Sequence, residues 1–221
     1  MKLIVRTSND GSHTLYREDI DETYHSTHGA IQEAIHVFIE HGLSHVAQNK
    51  KEIKLLEMGF GTGLNAFLTA EFAKNNQVKV DYTGYELYPV PKEVCDSLNY
   101  ANSFHDCSKE MFRTLHQSEW EESHEISNFF SFRKVKECIM SVEPNSEYDL
   151  IYFDAFGPRA EPTLWEPDVL NHMGKVLKQG GVLATYCAKG QVRRDLISAG
   201  FEVERLPGPP GKREMLRATK L

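Results

Sequence analysis

The sequence is poor in cysteine and has no long apolar run. Four of its 221 residues are cysteines, and no two of them form a Cys-x-x-Cys pair. This spacing argues against a disulfide framework and against a cysteine-based zinc or redox site, so reduced thiols are expected. No apolar stretch approaches the ~20 residues that cross a membrane, and the apolar start, residues 1–5, is too short for a secretory signal. These absences predict a cytoplasmic protein that does not enter membranes.

An excess of positive charge is missing as well. The chain has 25 Lys and Arg against 32 Asp and Glu, a formal charge of −7, which argues against non-specific coating of nucleic acid. The imbalance is uneven, because residues 189–221 contain eight basic and four acidic residues, a net +4, which leaves −11 for the rest. A basic end on an acidic body favours a local contact with an anionic partner; the alternative is an ordinary solvated surface.

The histidines form no recognisable metal-binding pattern. His25 with His28, and His41 with His45, are spaced closely enough to share an ion. Neither pair has a third ligand or belongs to a His-Glu-x-x-His motif. We therefore expect no metal site.

Three alternating glycines follow a predicted apolar strand. The strand begins near Ile53 and ends at Glu57, the glycines come next, and a helix begins near Leu64. Glycine lets the backbone turn sharply and lets a ligand approach the main chain, while the first turn of the helix offers unpaired N–H groups. The stretch 53–65 therefore predicts a ligand-binding loop, the alternative being a tight turn that binds nothing.

The same loop excludes two common ligands. It lacks the Gly-Lys-Ser/Thr of a phosphate-binding loop, and Leu64 stands where a dinucleotide fingerprint has glycine. Its Glu-x-Gly-x-Gly-x-Gly spacing instead resembles the first motif of class I S-adenosylmethionine methyltransferases. The resemblance implies S-adenosyl-L-methionine as cofactor, with the acid before the glycines meeting the cationic amino-acid end of the ligand. The residues of this motif assigned to the cofactor are Glu57, Gly59, Gly61, Gly63 and Asn65.

An acidic residue ends the next predicted strand. Residues 78–86 follow the helix after the glycine loop, and Glu86 closes them. At this place in a βαβ unit, a carboxylate can hold both hydroxyls of a ribose. We therefore assign Glu86 to the cofactor, the alternative being a surface acid at a strand end.

A second group of functional residues follows a strand that is apolar almost throughout, residues 148–154, as expected for a central parallel strand. Asp154 ends this strand at the sheet edge where ligands bind. Methyl transfer to an amine needs the nitrogen lone pair in line with the S–CH3 bond, and a carboxylate that accepts the amine N–H sets this geometry and helps to remove the proton. Asp154 is thus the predicted catalytic residue; the alternative is a turn cap. Phe156 offers a face to a flat base, and Pro158 stiffens the turn.

The order of predicted elements indicates an α/β fold of the Rossmann-like class I methyltransferase type. We expect a seven-stranded, mostly parallel sheet that closes with an antiparallel C-terminal hairpin, residues 201–206 and 214–219. Residues 1–50 are predicted to form a strand and helix extension, and the polar residues 103–127 a helical insertion, within a single domain, 1–221.

Basic residues accumulate around the last predicted helix and the hairpin. Arg193 and Arg194 lie in the first turn of a helix predicted over 191–199, where a cation is unfavourable for the helix dipole, and this placement suggests contact with phosphate. The residues assigned to the substrate are Phe156, Pro158, Lys189, Arg193, Arg194, Lys212 and Arg213.

Five blocks of the sequence, within residues 21–33, 57–65, 153–165, 186–194 and 200–218, are similar to the methyltransferase member of the tRNA 5-methylaminomethyl-2-thiouridine family. The resemblance implies methyl transfer from S-adenosyl-L-methionine to the exocyclic primary amine of 5-aminomethyl-2-thiouridine at the tRNA wobble position. The product is then 5-methylaminomethyl-2-thiouridine, and tRNA is the partner.

Bifunctional members of this family carry an FAD-dependent oxidase domain after the methyltransferase. This chain ends where that domain would begin, so methylation alone is expected, with a separate oxidase acting upstream. Many members have an aspartate for the adenine amino group after the third strand; this sequence has Lys136-Glu137-Cys138, and Glu137 is assigned to that contact. Two other functions stay open, a small-molecule amine N-methyltransferase and a Rossmann nucleotide-binding module without methyl transfer.

Overall fold

Two β-sheets organise the chain. The structure, a computed structural model, describes residues 2–104 and 106–221 and places eleven strands in a small N-terminal sheet and a main sheet of eight. In chain order the strands are β1 (Leu3–Thr7), β2 (His13–Arg17), β3 (Glu22–Thr23), β4 (Glu52–Met58), β5 (Lys79–Tyr85), β6 (Ser123–Ser127), β7 (Phe130–Val135), β8 (Tyr148–Phe153), β9 (Leu177–Thr185), β10 (Phe201–Pro207) and β11 (Glu214–Lys220).

The main sheet is parallel in its middle and antiparallel at both edges. Its order is β10-β11-β9-β8-β4-β5-β7-β6, and the pairs from β9 through β8, β4 and β5 to β7 are all parallel. The C-terminal hairpin of β10 and β11 is antiparallel, as the sequence predicted, and its strand β11 pairs with β9. The carboxyl ends of five strands therefore meet at one edge of the sheet, which is where ligands bind in this architecture.

The sheet has one strand more than the sequence predicted. The extra strand, β6, pairs antiparallel with β7 at the edge and lies in the segment 103–127 that was predicted to be helical throughout. Its sequence Ser-His-Glu-Ile-Ser is short and mostly polar, as edge strands often are, so it carries no apolar alternation. The helical part of that prediction corresponds to a helix over Asp106–Gln117, while position 105 lies outside the described residues.

Seven α-helices, with one π-helical and three short 3₁₀ segments, complete the described part of the chain. In chain order the α-helices are α1 (Ala30–Ala34), α2 (His45–Ala47), α3 (Leu64–Asn76), α4 (Lys92–Cys95), α5 (Asp106–Gln117), α6 (Pro167–Val176) and α7 (Gly190–Ser198). The π-helical segment Ile35–Ser44 joins α1 to α2, so the helix of the predicted N-terminal extension is continuous from Ala30 to Ala47. The 3₁₀ segments are Tyr100–Ser103, Ile139–Ser141 and Pro162–Trp165.

Both faces of the main sheet are covered. One apolar cluster joins β4 and β5 to α3 and the π-helical segment, and the other joins β8 and β9 to α6 and α7. All six residues of β8 are buried, which agrees with the apolar run from which a central strand was predicted. With both faces covered, the carboxyl edge remains as the open part of the central strands.

The N-terminal sheet is tied to the loop that follows β8. Arg17 at the end of β2 pairs with Glu161 at 3.3 Å, and Arg159 donates to the carbonyl oxygen of Asp21 and lies 3.4 Å from the carboxylate of Glu22. The extension therefore lies over the carboxyl edge of the main sheet. Within residues 2–104 and 106–221, no helix combines the length and the apolarity that crossing a bilayer requires.

Candidate active site at the carboxyl edge of the sheet

A crevice of about 300 Å³ opens where β4, β5, β7 and β8 end. Six residues assigned from the sequence line it: Gly59, Gly61, Glu86, Glu137, Asp154 and Phe156. Three residues from the N-terminal extension also line it: Arg17, Tyr24 and His25. The crevice is therefore built by strand ends from below and by the extension from above.

The glycine loop brings β4 into direct contact with the end of β8. Gly59 has a φ of 89°, and a Cβ added there would lie 2.7 Å from the carbonyl oxygen of Asp154. Only a residue without a side chain permits this approach, because both partners are backbone held in neighbouring strands. The loop that precedes α3 and the turn that follows β8 thus form one continuous wall.

Glu86 is held rigidly at the end of β5. One carboxylate oxygen accepts the N–H of Gly61 at 3.0 Å and the other accepts the N–H of Tyr88 at 2.8 Å. Burial raises the pKa of Glu86 above its usual value, and these two backbone hydrogen bonds offset only part of that rise. An ionised carboxylate accepts several hydrogen bonds, so Glu86 retains lone pairs for hydroxyl groups in the crevice.

Asp154 lines the crevice directly after the end of β8. Its Oδ2 accepts a hydrogen bond from Nδ2 of Asn65 at 2.7 Å. Burial, and after it the negative charge of Glu33, raise the pKa of Asp154 to about 7, whereas the Asn65 hydrogen bond and the positive charge of Lys212 lower it. A carboxyl group with a pKa near neutrality can both accept and release a proton at physiological pH.

Glu57 does not reach the crevice. The sequence assigned it to the cationic end of the cofactor, but its side chain is 0% exposed, and Oε1 accepts the same Asn65 amide nitrogen at 2.9 Å. The reason is the alternation of β4, which places Glu57 on the face of Ile53 and Leu55, beneath α3. Burial raises the pKa of Glu57 well above its usual range. Glu57 therefore holds the Asn65 side chain by a hydrogen bond and does not line the crevice.

Two other residues of the predicted cofactor motif also stay outside the lining. Asn65 is buried in the first turn of α3, and a Cβ on Gly63 would meet His116 and Phe60. Both residues therefore support the loop from inside the fold. The part of the loop that lines the crevice runs from Gly59 to Thr62.

The roof of the crevice was missed in the sequence. Tyr24 packs edge-on against Phe156 with ring centroids 4.8 Å apart, and Nε2 of His25 lies 2.7 Å from the hydroxyl of Thr62. Burial lowers the pKa of His25 to about 4, so the ring is neutral and not a general acid. The guanidinium of Arg17 lies 5.5 Å from the centre of the Phe156 ring. Tyr24 and His25 belong to the family-like block 21–33, but none of the three residues was assigned to the site, because their role arises from contacts with distant loops.

A second, basic groove adjoins the crevice. The turn after β8 lines the crevice with Asp154, Ala155 and Phe156, and its next three residues line the groove. The predicted substrate residues in this groove are Pro158, Lys189, Lys212 and Arg213, joined by Arg159 and Tyr186. One wall thus separates the two cavities, and Asp154 stands at its start.

Three predicted substrate residues have other surroundings. Lys212 is held by an ion pair with Glu33 instead of projecting freely. Arg193 and Arg194 lie on α7 and line neither cavity, and Arg194 donates to Gln191 at 2.7 Å. Phosphate contact by the two arginines remains a prediction.

The histidine pairs considered in the sequence are not brought together with a third ligand. In the described part of the chain, one group of three candidate ligands has its atoms within 4.8 Å of one another, namely His36, Glu40 and His41. None of these three lines the crevice or the groove. The expectation of no metal in this site stays a prediction.

The crevice suits a cationic adenosyl ligand. Glu86, Glu137, Asp154 and Glu161 bring four carboxyl groups to its lining against the one guanidinium of Arg17, and apolar residues such as Leu164 share the lining. Gly59 lines the crevice and has no side chain, so a ligand can lie against its main chain. The residues present therefore fit S-adenosyl-L-methionine, while the assignments of Glu86 to its ribose and of Glu137 to its adenine stay predictions.

Comparison with known proteins gives a family and a fold. A sequence family described as S-adenosyl-L-methionine-dependent methyltransferase matches residues 99–221. The crystal structure of MnmC2 from Aquifex aeolicus superposes with a TM-score of 0.81 and 24% identity, covering 98% of this chain and 69% of that one. This agreement concerns the Rossmann-like fold.

The curated relatives are longer proteins. The chain is 30% identical over 210 residues to the tRNA 5-methylaminomethyl-2-thiouridine biosynthesis bifunctional protein of Ralstonia nicotianae, a match that covers 88% of this chain and 31% of the relative. The protein with the same description in Leptospira borgpetersenii is 29% identical over 212 residues, with 89% and 32% covered. The chain thus spans about a third of the length of the curated relatives it matches.

Proposed function

Because the chain belongs to the family of S-adenosyl-L-methionine-dependent methyltransferases, we propose that it transfers the methyl group of this cofactor to the exocyclic amine of 5-aminomethyl-2-thiouridine at the tRNA wobble position. The observation that carries the proposal is the shared wall of the two cavities. Asp154, the residue that follows β8, lines the crevice suited to an adenosyl ligand, and the same turn lines a groove rich in lysine and arginine from Gly157 onward. An amine entering from the groove meets a carboxylate at the boundary.

Asp154 is the group that prepares the amine. The bound cofactor supplies an activated methyl group on a sulfonium. Asp154 accepts an N–H of the neutral amine, which turns the nitrogen lone pair toward the crevice, and it takes the proton that the nitrogen loses once its bond to the methyl carbon has formed. Its pKa near 7 suits both tasks at physiological pH. Asn65 fixes the carboxylate through Oδ2, and this leaves Oδ1 for the substrate.

The tRNA substrate is supported by the relatives and by the groove. Proteins described by tRNA 5-methylaminomethyl-2-thiouridine biosynthesis match most of this chain. The groove contributes Arg159, Lys189 and Arg213, and phosphate contacts by such residues supply most of the affinity for a nucleic acid. A small-molecule methyltransferase would have no use for these cations.

Label transfer tests the proposal directly. Purified protein is incubated with methyl-labelled cofactor and tRNA that carries unmethylated aminomethyl groups, with tRNA lacking the aminomethyl group as control. We expect label only in the first tRNA. Label in a metabolite extract and none in tRNA would favour the small-molecule enzyme. If S-adenosyl-L-methionine fails to raise the melting temperature and NAD raises it, the chain is a nucleotide-binding module.

Replacing Lys189 and Arg213 together by alanine should weaken tRNA binding. Both residues line the groove, and neither makes a side-chain ion pair within the described part of the chain. Loss of two phosphate contacts should lower the slope of log affinity against log salt by about one to two. Binding titrations at several salt concentrations measure this.

The matched control for that pair is Lys51 and Lys79, replaced by alanine at the opposite, amino edge of the sheet. These two substitutions remove the same number of charges and should leave the salt slope nearly unchanged. Equal effects of both pairs would mean that net charge, and not the groove, attracts tRNA.

The exchange Glu86→Gln should lower cofactor affinity by about 10–100-fold. A carboxylate accepts the N–H groups of Gly61 and Tyr88 and still offers lone pairs to a ribose, whereas an amide must turn its NH2 toward one of those donors. Isothermal titration with S-adenosyl-L-methionine measures the change. Glu93→Gln, at an exposed acid of α4, is the control. Unchanged affinity in Glu86→Gln would place the ribose elsewhere.

Further expectations from the sequence belong to the same proposal. We propose that the methyltransferase is one domain, that it acts in the cytoplasm where tRNA is modified, and that an FAD-dependent oxidase supplies its amine substrate. The word bifunctional in the description of the relatives supports the last point.

A further inference from the structure

An ion pair joins the N-terminal extension to the C-terminal hairpin beside the proposed amine site. Nζ of Lys212, in the loop between β10 and β11, lies 2.5 Å from Oε1 of Glu33 in α1. The other carboxylate oxygen of Glu33 accepts the N–H of Ser26 at 2.8 Å. The pair links residues that are 179 positions apart in the chain.

This pair is withdrawn from water, unlike most ion pairs of the protein. The side chain of Glu33 is 7% exposed and that of Lys212 is 32% exposed. An ion pair elsewhere on the same hairpin, between Arg217 and Glu204, has its carboxylate 44% exposed. Removing one member of a buried pair leaves an uncompensated charge, so each member of the Glu33 pair strongly affects its surroundings.

A series of contacts connects the ion pair to the turn after β8, which carries Asp154. Nζ of Lys212 lies 3.8 Å from the centre of the Tyr186 ring, close enough for a cation–π interaction. The hydroxyl of Tyr186 donates to the carbonyl oxygen of Ala155 at 2.8 Å. Ala155 follows Asp154 directly, so the ammonium, the ring and the turn form one packed unit.

We propose, on the basis of the proposed function, that Glu33 and Lys212 are positioning residues of the amine site. The pair holds Tyr186 against the turn that carries Asp154. Its two opposite charges together determine whether Asp154 is ionised when the amine binds. The sequence had assigned Lys212 to tRNA contact; the structure gives its ammonium a buried partner instead.

The charges around Asp154 give the pair its influence. The groups that interact with Asp154 come from six parts of the fold: Glu33 on α1, Glu57 on β4, Asn65 on α3, Tyr82 on β5, Tyr186 after β9 and Lys212 in the hairpin loop. Glu33 raises the pKa of Asp154, and Lys212 lowers it. The two members of the pair therefore act on the same carboxyl group in opposite directions.

The test exploits these opposite signs. Glu33→Gln removes a negative charge and leaves Lys212 unneutralised, so the pKa of Asp154 should fall and the acid limb of the kcat/KM profile should move about one unit to lower pH. Lys212→Met leaves Glu33 unneutralised, so the limb should move by a similar amount to higher pH. The titration of the substrate amine is the same in all variants, and differences between profiles therefore report the enzyme.

A purely structural pair would behave differently. If the pair only fastened the hairpin to α1, both exchanges would lower kcat without moving the limb, or would move it in the same direction. Either outcome overturns the proposal. The double variant Glu33→Gln with Lys212→Met should return the limb close to that of the wild type, and Lys212→Arg should keep it. If one single variant does not fold, the direction in which the other moves the limb still tests the proposal.

Glu204→Gln and Arg217→Met serve as controls on the same hairpin. Their ion pair lies away from both cavities, and the acid limb should stay in place. An independent readout is the infrared signal of protonated Asp154, identified by its absence in Asp154→Asn, followed against pH. If the wild type does not methylate tRNA, the proposed function fails. The infrared titration still decides whether Glu33 and Lys212 shift the pKa of Asp154 in opposite directions.

Discussion

Asp154→Asn should lower the rate of methyl transfer by about 1,000-fold and leave the affinity for S-adenosyl-L-methionine within about threefold of the wild type. Asparagine has the same shape and its carbonyl oxygen can still accept the Asn65 amide, so the crevice keeps its form. It cannot take a proton, and its NH2 cannot accept the N–H of the amine. The rate is measured under single turnover with labelled cofactor, and the affinity by calorimetry.

The same variant should also change how the stability of the folded protein depends on pH. Because the folded pKa of Asp154 is raised to about 7, the folded state binds this proton more tightly than the unfolded chain does. The free energy of unfolding contributed by this group therefore decreases as pH rises from the unfolded value of about 4 to about 7. Asp154→Asn removes this dependence, so its melting temperature should exceed that of the wild type increasingly up to pH 7 and by a constant margin above it.

Two outcomes would contradict this assignment. Equal losses of rate and cofactor affinity in Asp154→Asn would show that the residue holds the cofactor and does not act on the amine. We expect the wild-type pH–rate profile to have an inflection near pH 7 that is absent in Asp154→Ala. If the wild type has no such inflection, or if the variant keeps it, another group takes the proton.

Gly59→Ala should lower both the cofactor affinity and the rate of methyl transfer, the rate by about 100-fold, because a misplacement of ~1 Å in an active site is enough for such a loss of rate. The added methyl group would lie 2.7 Å from the carbonyl oxygen of Asp154, and both atoms belong to backbone at the ends of adjacent strands. The clash separates the glycine loop from the turn after β8, so cofactor binding and methyl transfer should fall together. Calorimetry and label transfer measure the two losses.

Gly200→Ala is a closely matched control. Gly200 has a φ of 88°, against 89° for Gly59, but a Cβ there meets no atom within 4 Å. Both exchanges introduce the same backbone strain, of roughly 1–2 kcal/mol, and both should lower the melting temperature. Only Gly59→Ala should lose the cofactor. If the two variants bind S-adenosyl-L-methionine equally well, the contact between the loop and the turn after β8 is not what shapes the crevice.

The parts of the fold that could be predicted are those with strong local patterns. The burial of β8 follows from its continuous apolar run, and the loop after β4 follows from its glycines and the helix behind them. The strand β6 was missed because a short polar edge strand resembles a polar helix or loop in sequence. Edge strands need few apolar residues, since one side of them pairs with nothing.

The side chains that form the site were harder to place. Glu57 and Glu86 both stand at the ends of strands, yet only Glu86 lines the crevice. Whether such a residue faces the ligand depends on the register of the strand and on the loop after it. Arg17 and Tyr24 were not assigned to the site from the sequence, since they line it only because the N-terminal extension lies over the crevice.

The sequence alone determined the central strands of the sheet, the glycine loop and the acid that follows β8, because hydrophobic periodicity and glycine placement act over a few neighbouring residues. The tertiary structure decided which charges meet. Lys212 and Glu33 look like ordinary surface residues until the hairpin and the N-terminal helix bring them together beside Asp154. Electrostatic energy depends on the distance between the charges and on their burial. For residues 179 positions apart, the local sequence fixes neither quantity, and both are set only when the chain folds.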